Sequence, residues 1–343
     1  MDETSSYARA GVNIAAADKL KAKMMSLIRG THNDSVVGLP GGFGGVYSLT
    51  ELTGSDILLV GSADGVGTKL KLAFASGKHD TIGQDLVNHL VNDILCCGAR
   101  PLFFFDYLAY GRIAEEIALQ IIDGLSKACR QNGLALLGGE TAQMPGFYAD
   151  GEYDLAGFIV GYVSRKNLID GSPIAEGDMI VGLAADGLHT NGYTLARNVL
   201  LEKAGLKLGD ILPETESEIF SELMKIHRSY LPAVGPLLER RLLKGIAHIT
   251  GGGFEGNISR IIPEGLTAEI DVRSWKVPPL FQAIQNRGKI TDEEMYRVFN
   301  MGIGMILICD RNDVRNVIDA CQETGAVVIG SCRKGRKKVE LKR

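Results

Sequence analysis

"DILLVGSADGVGTKLKLAF", Asp56 to Phe74, is the stretch whose reading decides the first half of the chain. A strand-like apolar run leads through Gly61 to Asp64, then two spaced glycines, a threonine and a lysine. A phosphate-cradling P-loop places Lys before Ser/Thr, four residues after an earlier glycine. The order here is Gly67-Thr68-Lys69, so that motif is absent. The turn is either an ordinary strand exit or a phosphate or metal site of another design.

Outward from it, strand and helix signals alternate. "ILLVGSA" is followed by a helix over about 81–96, "PLFFFDYLAY", a helix over about 114–131, "LALLGGE" and "YDLAGFIVGYV". Gly98 and Pro101 stop the first of these helices as a C-cap glycine and a later proline do. Upstream lie a helix candidate, "IAAADKLKAKMMSLI", and the glycine-rich "GLPGGFGGVYSL". "LIDGSPIAEGD" is a turn-rich connector, which divides the chain into 1–170 and 171–343. The second half restarts with "MIVGLAA", the loop "DGLHTNG" and the helix "YTLARNVLLEKAG". A charged helical region broken by prolines follows, then "LTAEIDV", "MGIGMILICD", a helix over about 312–324 and "AVVIGSC". Strands and helices mixed in both halves predict two α/β (α+β) domains, sheet against helices.

The 343 residues carry a net charge of -4 with 45% hydrophobic and 23% charged side chains, a soluble globular composition without a general polyanion-binding character. No apolar run reaches the roughly 18 residues that a membrane span needs, and the polar N-terminus fits no targeting peptide, so a cytoplasmic location is expected. The six cysteines form no C-x-x-C pair and read as buried thiols. The basic tail "CRKGRKKVELKR" reads as a solvated terminus rather than a nucleic-acid patch.

Three acids stand out. Asp64 and Glu140 each follow an apolar run within glycines, and Asp93 lies on the helix "TIGQDLVNHLVNDILCC". At 100° per residue that helix gathers Ile82, Leu86, Val87, Leu90 and Ile94 on one side, and Asp85, Asn88, His89 and Asn92 on the other, with Asp93 at the border. A solvated face normally mixes Lys with Glu; this one carries no cation. A hard divalent ion with phosphate selects such a set, and a water-facing or interface helix lacking lysine is the alternative. With Asp64 and Glu140 added, the metal–phosphate reading is favoured. Lys69 supplies a point charge for a phosphoryl oxygen. Gly42, Gly44, Gly45, Gly65, Gly67, Thr68, Asn92, Gly138 and Gly139 complete the expected phosphate contacts, the glycines by admitting a ligand to the backbone. "GGGFEG" satisfies G-x-G-x-x-G, but "GIAHIT" is a poor strand before it and Pro263 cuts the next helix short. Gly251, Gly252 and Gly253 are therefore expected to serve a phosphate or sugar of a second ligand, and Asn191, at the start of the helix after "DGLHTNG", is expected either to cap that helix or to contact substrate. His189 is the expected catalytic histidine facing substrate, with His248 its rival.

"SADGVGTKLKLA", "HDTIGQDLVNHLVNDILCCGARPLFFFDYLA", "LLGGETAQMPG", "YDLAGF", "GLHTNGYTLAR", "HITGGGFEGNI" and "EMYRVFNMGIGM" occur in order. Together they resemble the phosphoribosylformylglycinamidine cyclo-ligase family, the aminoimidazole ribonucleotide synthetases, from about Tyr7 to the end of the second domain. The resemblance implies a homodimer whose strand-rich N-terminal domains pair into a barrel, and a C-terminal α/β sandwich. It implies ATP and Mg²⁺ as cofactors, formylglycinamidine ribonucleotide as substrate, and Asp64, Asp93 and Glu140 as metal–phosphate acids. The chain departs from the family pattern at Arg100 and Gln143, where acids are usual, and in "LHTNG" for "PHSNG". Rival readings are a small-molecule kinase with the same ATP site, a non-catalytic nucleotide-binding module, and a dinucleotide dehydrogenase built on "GGGFEG".

Overall fold

The computed structural model describes residues 34–38 and 45–343. The helix expected over "IAAADKLKAKMMSLI", Gly42 and Gly44 lie outside the described residues. Two six-stranded sheets organise the rest.

The first sheet contains β1 (Val36–Gly38), β2 (Gly45–Ser48), β3 (Ile57–Gly65), β4 (Arg100–Tyr110), β5 (Ala135–Gln143) and β6 (Tyr153–Ser164), in the order β1-β2-β3-β6-β4-β5. All neighbours are antiparallel except β4 and β5. A parallel pair needs a crossover helix. Between α1 (Leu70–Ser76), α2 (Ile82–Leu95) and α3 (Glu115–Gln131), it is α3 that makes it. Along β6, Tyr153, Leu155, Gly157, Ile159, Gly161 and Val163 are buried while Asp154, Phe158 and Tyr162 are exposed, the period-2 pattern of a sheet with one covered face. The covering layer is α2 and α3. Gly98 ends α2 at φ 72, where a Cβ would lie 2.9 Å from the Asn167 carbonyl oxygen.

Close helix packing depends on Gly83 of α2. A Cβ there would stand 2.3 Å from the Leu125 backbone nitrogen and 2.5 Å from the Ile121 carbonyl oxygen of α3. On an exposed helix, Gly→Ala stabilises by about 1 kcal/mol. Here the sign reverses: Gly83→Ala is expected to destabilise by about 1–3 kcal/mol, because backbone atoms cannot rotate away. A urea midpoint equal to or above that of the wild type would refute the packing argument.

The second sheet contains β7 (Met179–Ala184), β10 (Leu243–His248), β11 (Leu266–Asp271), β12 (Ile303–Cys309), β13 (Val327–Lys334) and β14 (Lys338–Lys342), ordered β10-β12-β7-β13-β11-β14. A small hairpin, β8 (Ile211–Leu212) with β9 (Ser217–Glu218), stands apart. Every residue of β12 is buried, as a central strand covered on both faces must be. Around this sheet lie α4 (Tyr193–Arg197), α5 (Leu231–Glu239) and α6 (Gly253–Ile258) among other short helices. The first sheet's strands end at Ser164 and the second's begin at Met179.

Two expectations change. "GIAHIT" does carry a strand, β10, whose antiparallel pairing with β12 outweighs its weak propensity. The basic tail is not merely solvated: β14 pairs in parallel with β11, and Lys342 and Arg333 both contact Glu269. Among the described strands the first sheet does not close on itself within one chain, so a barrel would need a second copy. No described helix is long and apolar enough to cross a membrane, and all six cysteines are buried thiols, none in a disulfide.

Candidate active site

All of α2 is buried, including its polar face. What covers that face is the segment 225–230 of the second half. Asp85 Oδ1 accepts from the His227 backbone N–H at 2.7 Å. Asn88 Nδ2 donates to the His227 carbonyl at 2.7 Å. Asn92 Nδ2 donates to the Arg228 carbonyl at 2.8 Å, and its Oδ1 accepts from the Tyr230 N–H at 2.9 Å. An extended segment without ladder partners needs such side chains to satisfy its backbone. The missing lysines therefore mark a seam between the two sheets' layers, the interface alternative. Asn92 is a clip rather than a phosphate contact. Asn92→Ala is expected to cost about 2–6 kcal/mol by orphaning two backbone groups, at about 1–3 kcal/mol each, and a urea midpoint within error of wild type would dismiss the clip.

Lys69 is also part of the seam. Its Nζ is 2.7 Å from Asp85 Oδ2 and 2.7 Å from the Lys225 carbonyl, with neither charged side chain exposed. Burial pushes the Lys69 pKa down and the Asp85 pKa up, and each charge opposes the other's shift. The expected phosphate-binding lysine is thus an internal counter-ion in this structure.

Asp64 and Asp93 both reach His89, but among the described residues the donor atoms that all lie within 4.8 Å of one another belong to His89, Asp93 and His248, without Asp64. Asp64 leaves β3 with its side chain half exposed, Oδ1 accepting from Gly65 N–H at 2.7 Å. His89 Nε2 lies 3.0 Å from Asp64 Oδ2 and 3.4 Å from Asp93 Oδ2. Asp93 Oδ1 meets His248 Nδ1 at 2.8 Å. His248 Nε2 is 3.0 Å from His227 Nε2, His227 Nδ1 is 3.3 Å from Thr190 Oγ1, and Thr190 Oγ1 is 2.7 Å from His89 Nδ1. The contacts close a ring, Asp93–His248–His227–Thr190–His89, across both sheets' layers. Burial lowers the pKa of His89, but Asp93 and Asp64 outweigh it and raise it to about 10 in the absence of metal. Burial raises Asp93, and the His89 charge and the His248 hydrogen bond more than reverse this, leaving it well below the usual carboxylate range. A raised histidine pKa stabilises fully below its unfolded value of 6.5, and that stability is lost as pH rises through about 10. Metal-free protein should therefore lose thermal stability between about pH 6.5 and 10, and His89→Met should flatten that slope; an unchanged slope would contradict the charge on His89.

Glu140 is not brought to these acids. By register, Asp64 pairs with Gly157, Gly157 with Asp106, and Asp106 with Gly139, all on the helix-covered face. Glu140 is one residue on and points to the other face. Three strand steps of about 4.8 Å also put it about 14 Å away. Gly139 meets a packing need, since a Cβ would lie 2.3 Å from Asp106 Oδ1, and Gly138 is exposed beside it. Gly45 starts β2 opposite Gly61, away from the acids along the sheet. Gly67 has φ 71 with open space around it, and Thr68 Oγ1 touches Thr194 Oγ1 at 2.9 Å.

His189 is a correction. It is buried, holds φ 60, and stacks on His227 with centroids 3.9 Å apart, so it faces the interior rather than substrate. His248 is equally buried and spends both ring nitrogens on Asp93 and His227. Asn191, Gly251 and Gly252 keep partial exposure, and the Asn191 Oδ1 atom approaches Gly251. Gly253 is buried, with a Cβ barred by the Tyr296 carbonyl at 1.9 Å. The residues overlooked as site members are His89, Thr190 and His227; only the absence of a cation around His89 hinted at them.

Comparison with known proteins agrees with this architecture. Residues 44–163 match the model of the AIR synthase related protein N-terminal domain, and 175–342 match that of its C-terminal domain. A phosphoribosylformylglycinamidine cyclo-ligase of Alkaliphilus metalliredigens is 43% identical over 337 residues, covering 98% of this chain and 97% of its own. One of Trichlorobacter lovleyi is 46% identical over 321 residues, covering 94% and 92%. Among solved structures, AaThiL complexed with AMPPCP and TMP aligns at TM-score 0.64 with 14% identity over 93% of this chain and 92% of that one. E. coli HypE aligns at 0.62 with 18% identity over 86% and 85%. The fold is therefore shared beyond the sequence family, and the full-length identities show that the chain belongs to the phosphoribosylformylglycinamidine cyclo-ligase family of ligases.

Proposed function

We propose that this enzyme closes the imidazole ring of aminoimidazole ribonucleotide from formylglycinamidine ribonucleotide in de novo purine biosynthesis, consuming ATP and releasing ADP and phosphate. The observation that carries the reading is that Asp64, from a strand end, and Asp93, from a helix, both contact His89 beside the Gly65–Gly67 turn. The curated relatives' shared name supports the reaction, and two structural neighbours, AaThiL and T. maritima PurL, were solved with AMPPCP.

A formamide carbonyl is a poor electrophile, and its oxygen is a poor leaving group. Transfer of the ATP γ-phosphoryl to that oxygen yields an imidate phosphate; the amidine nitrogen attacks the same carbon, and the C–O bond breaks as phosphate leaves. Phosphoryl transfer asks the protein chiefly for positioning and charge neutralisation. The half-exposed Asp64 with Asp93 behind it suits a hard divalent ion that keeps some of its waters. Mg²⁺ bound there would neutralise charge on the transferring phosphoryl group. Gly65 and Gly67 admit phosphates to the backbone, Thr68 borders them, and Asn191 with Gly251 and Gly252 takes the ribonucleotide's phosphate end.

The homodimer reading rests on the sheet face opposite the helices, which no described helix covers. Tyr47, Phe105, Phe158 and Tyr162 are exposed there, in register across β2, β3, β6 and β4. An apolar sheet face of this kind calls for a partner, and a second copy completing a barrel satisfies it. Phe158→Asp is expected to convert the dimer into monomers in sedimentation velocity; a wild type that already sediments as a monomer would refute the reading. The first domain, 1–170, then carries ATP, metal and dimerisation, and 171–343 the ribonucleotide, in a cytoplasmic enzyme.

The deciding experiment is ADP release on addition of formylglycinamidine ribonucleotide, with product analysis. A ring-closed product with free phosphate supports the cyclo-ligase. A phosphorylated product would instead favour a kinase, and substrate-independent ADP release would refute both.

A further inference from the structure

A cleft where the connector between the two sheets meets α5 has no part in the proposed reaction. Its walls are the start of β4, the end of β6, the connector and the turn between α5 and β10, and it encloses about 390 Å³. Small-molecule sites run from roughly 300 to 1,000 Å³. It is also remote from the acids. Asp64 pairs with Gly157 and Gly157 with Asp106, whereas Arg100 opens β4, six residues before Asp106. At about 3.3 Å per residue, that places the cleft about 20 Å along the sheet. Arg100 pairs in register with Tyr162, so the cleft sits at the rim of the face assigned to the second copy.

Its charge is one-sided. Arg100, Lys166 and Arg241, from three separate segments, line it against a single acid, Glu239, an excess of two positive charges. All three cations are exposed. Arg100 spends one guanidinium nitrogen, Nη2, on Glu239. Lys166 and Arg241 have no ion-pair partner among the described residues. Leu168, Pro173 and Leu238 supply an apolar wall beside them. An acid at position 100, usual in the family pattern, would face Glu239 and repel an anion; the arginine reverses both effects.

We propose that this cleft binds a phosphomonoester with a small apolar or aromatic body, at a site separate from those for ATP and the ribonucleotide. A phosphomonoester carries about 1.5 to 2 negative charges at pH 7, which matches the excess of two. Guanidinium forks suit phosphate oxygens, and the apolar wall takes the organic body. The C-terminal carbonyls of α5 disfavour an anion close to them, a partial charge that two full positive charges outweigh. Because the walls come from both halves of the chain, the bound ligand braces them against each other, and binding raises thermal stability. The inference does not depend on the proposed reaction.

The test titrates phenyl phosphate, inorganic phosphate or phenol into the full-length protein in its native oligomeric state, with AMPPCP and Mg²⁺ present in excess. Calorimetry and the thermal midpoint are the readouts. Phenyl phosphate is expected to bind more tightly than inorganic phosphate, both raising the midpoint, and phenol not to bind. Arg241→Met should weaken phenyl phosphate at least about tenfold while substrate-dependent ADP release stays at the wild-type rate. Lys166→Met, exposed on the connector, should do the same, and it carries the test if Arg241→Met, at a residue with φ 55, does not fold. No binding of either phosphate by the wild type, or binding undiminished in the folded variants, would overturn the site. Phenol binding as tightly as phenyl phosphate would overturn its preference for phosphate.

Discussion

Asp93→Asn is expected to lower kcat for substrate-dependent ADP release by about 10²–10³-fold while the protein remains folded. The amide keeps the carboxylate's shape, and one oxygen still accepts from a histidine. What it loses is the charge that His89 and His248 surround and that a divalent ion would share. If that charge helps neutralise the migrating phosphoryl group, the loss falls on the transition state, so kcat and kcat/KM drop together. The buried position makes a control necessary: the urea midpoint should fall far less than the activity does. Near-normal turnover at saturating Mg²⁺ would remove Asp93 from the chemistry.

A comparable loss, of stability rather than turnover, is expected for Lys69→Met. The substitution leaves Asp85 charged and without its counter-ion in a fully enclosed position, at a cost of about 3–5 kcal/mol. Adding Asp85→Asn removes the stranded charge and keeps an acceptor for the His227 N–H, so the double variant should recover most of the loss. Unfolding by urea, monitored by far-ultraviolet circular dichroism, measures both. A single variant as stable as the wild type would mean that Lys69 is free to serve a ligand, as its place after the glycine turn suggests. A double variant no more stable than the single one would mean that the lysine stem, and not the ion pair, carries the seam.

These two residues show where sequence reasoning reaches and where it stops. Asp93 could be picked out because it borders a helix face without cations, and such a face is chemically unusual at any position. Lys69 was misread because a lysine after a glycine turn has the same local signature whether it meets a phosphate or an aspartate on the next helix. Glu140 had the same glycine context as Asp64, yet one residue of strand register sends its carboxylate to the opposite face.

The order of strands and helices, the acids Asp64 and Asp93, and membership of the family were written in local patterns: apolar periodicity, glycine turns and long motifs. Periodicity is a property of neighbours along the chain, so it survives without knowledge of the fold. The closed ring of Asp93, His248, His227, Thr190 and His89 was decided only by tertiary structure. Its members come from four segments distant in sequence, and hydrogen-bond geometry between such segments depends on how two sheets' layers dock.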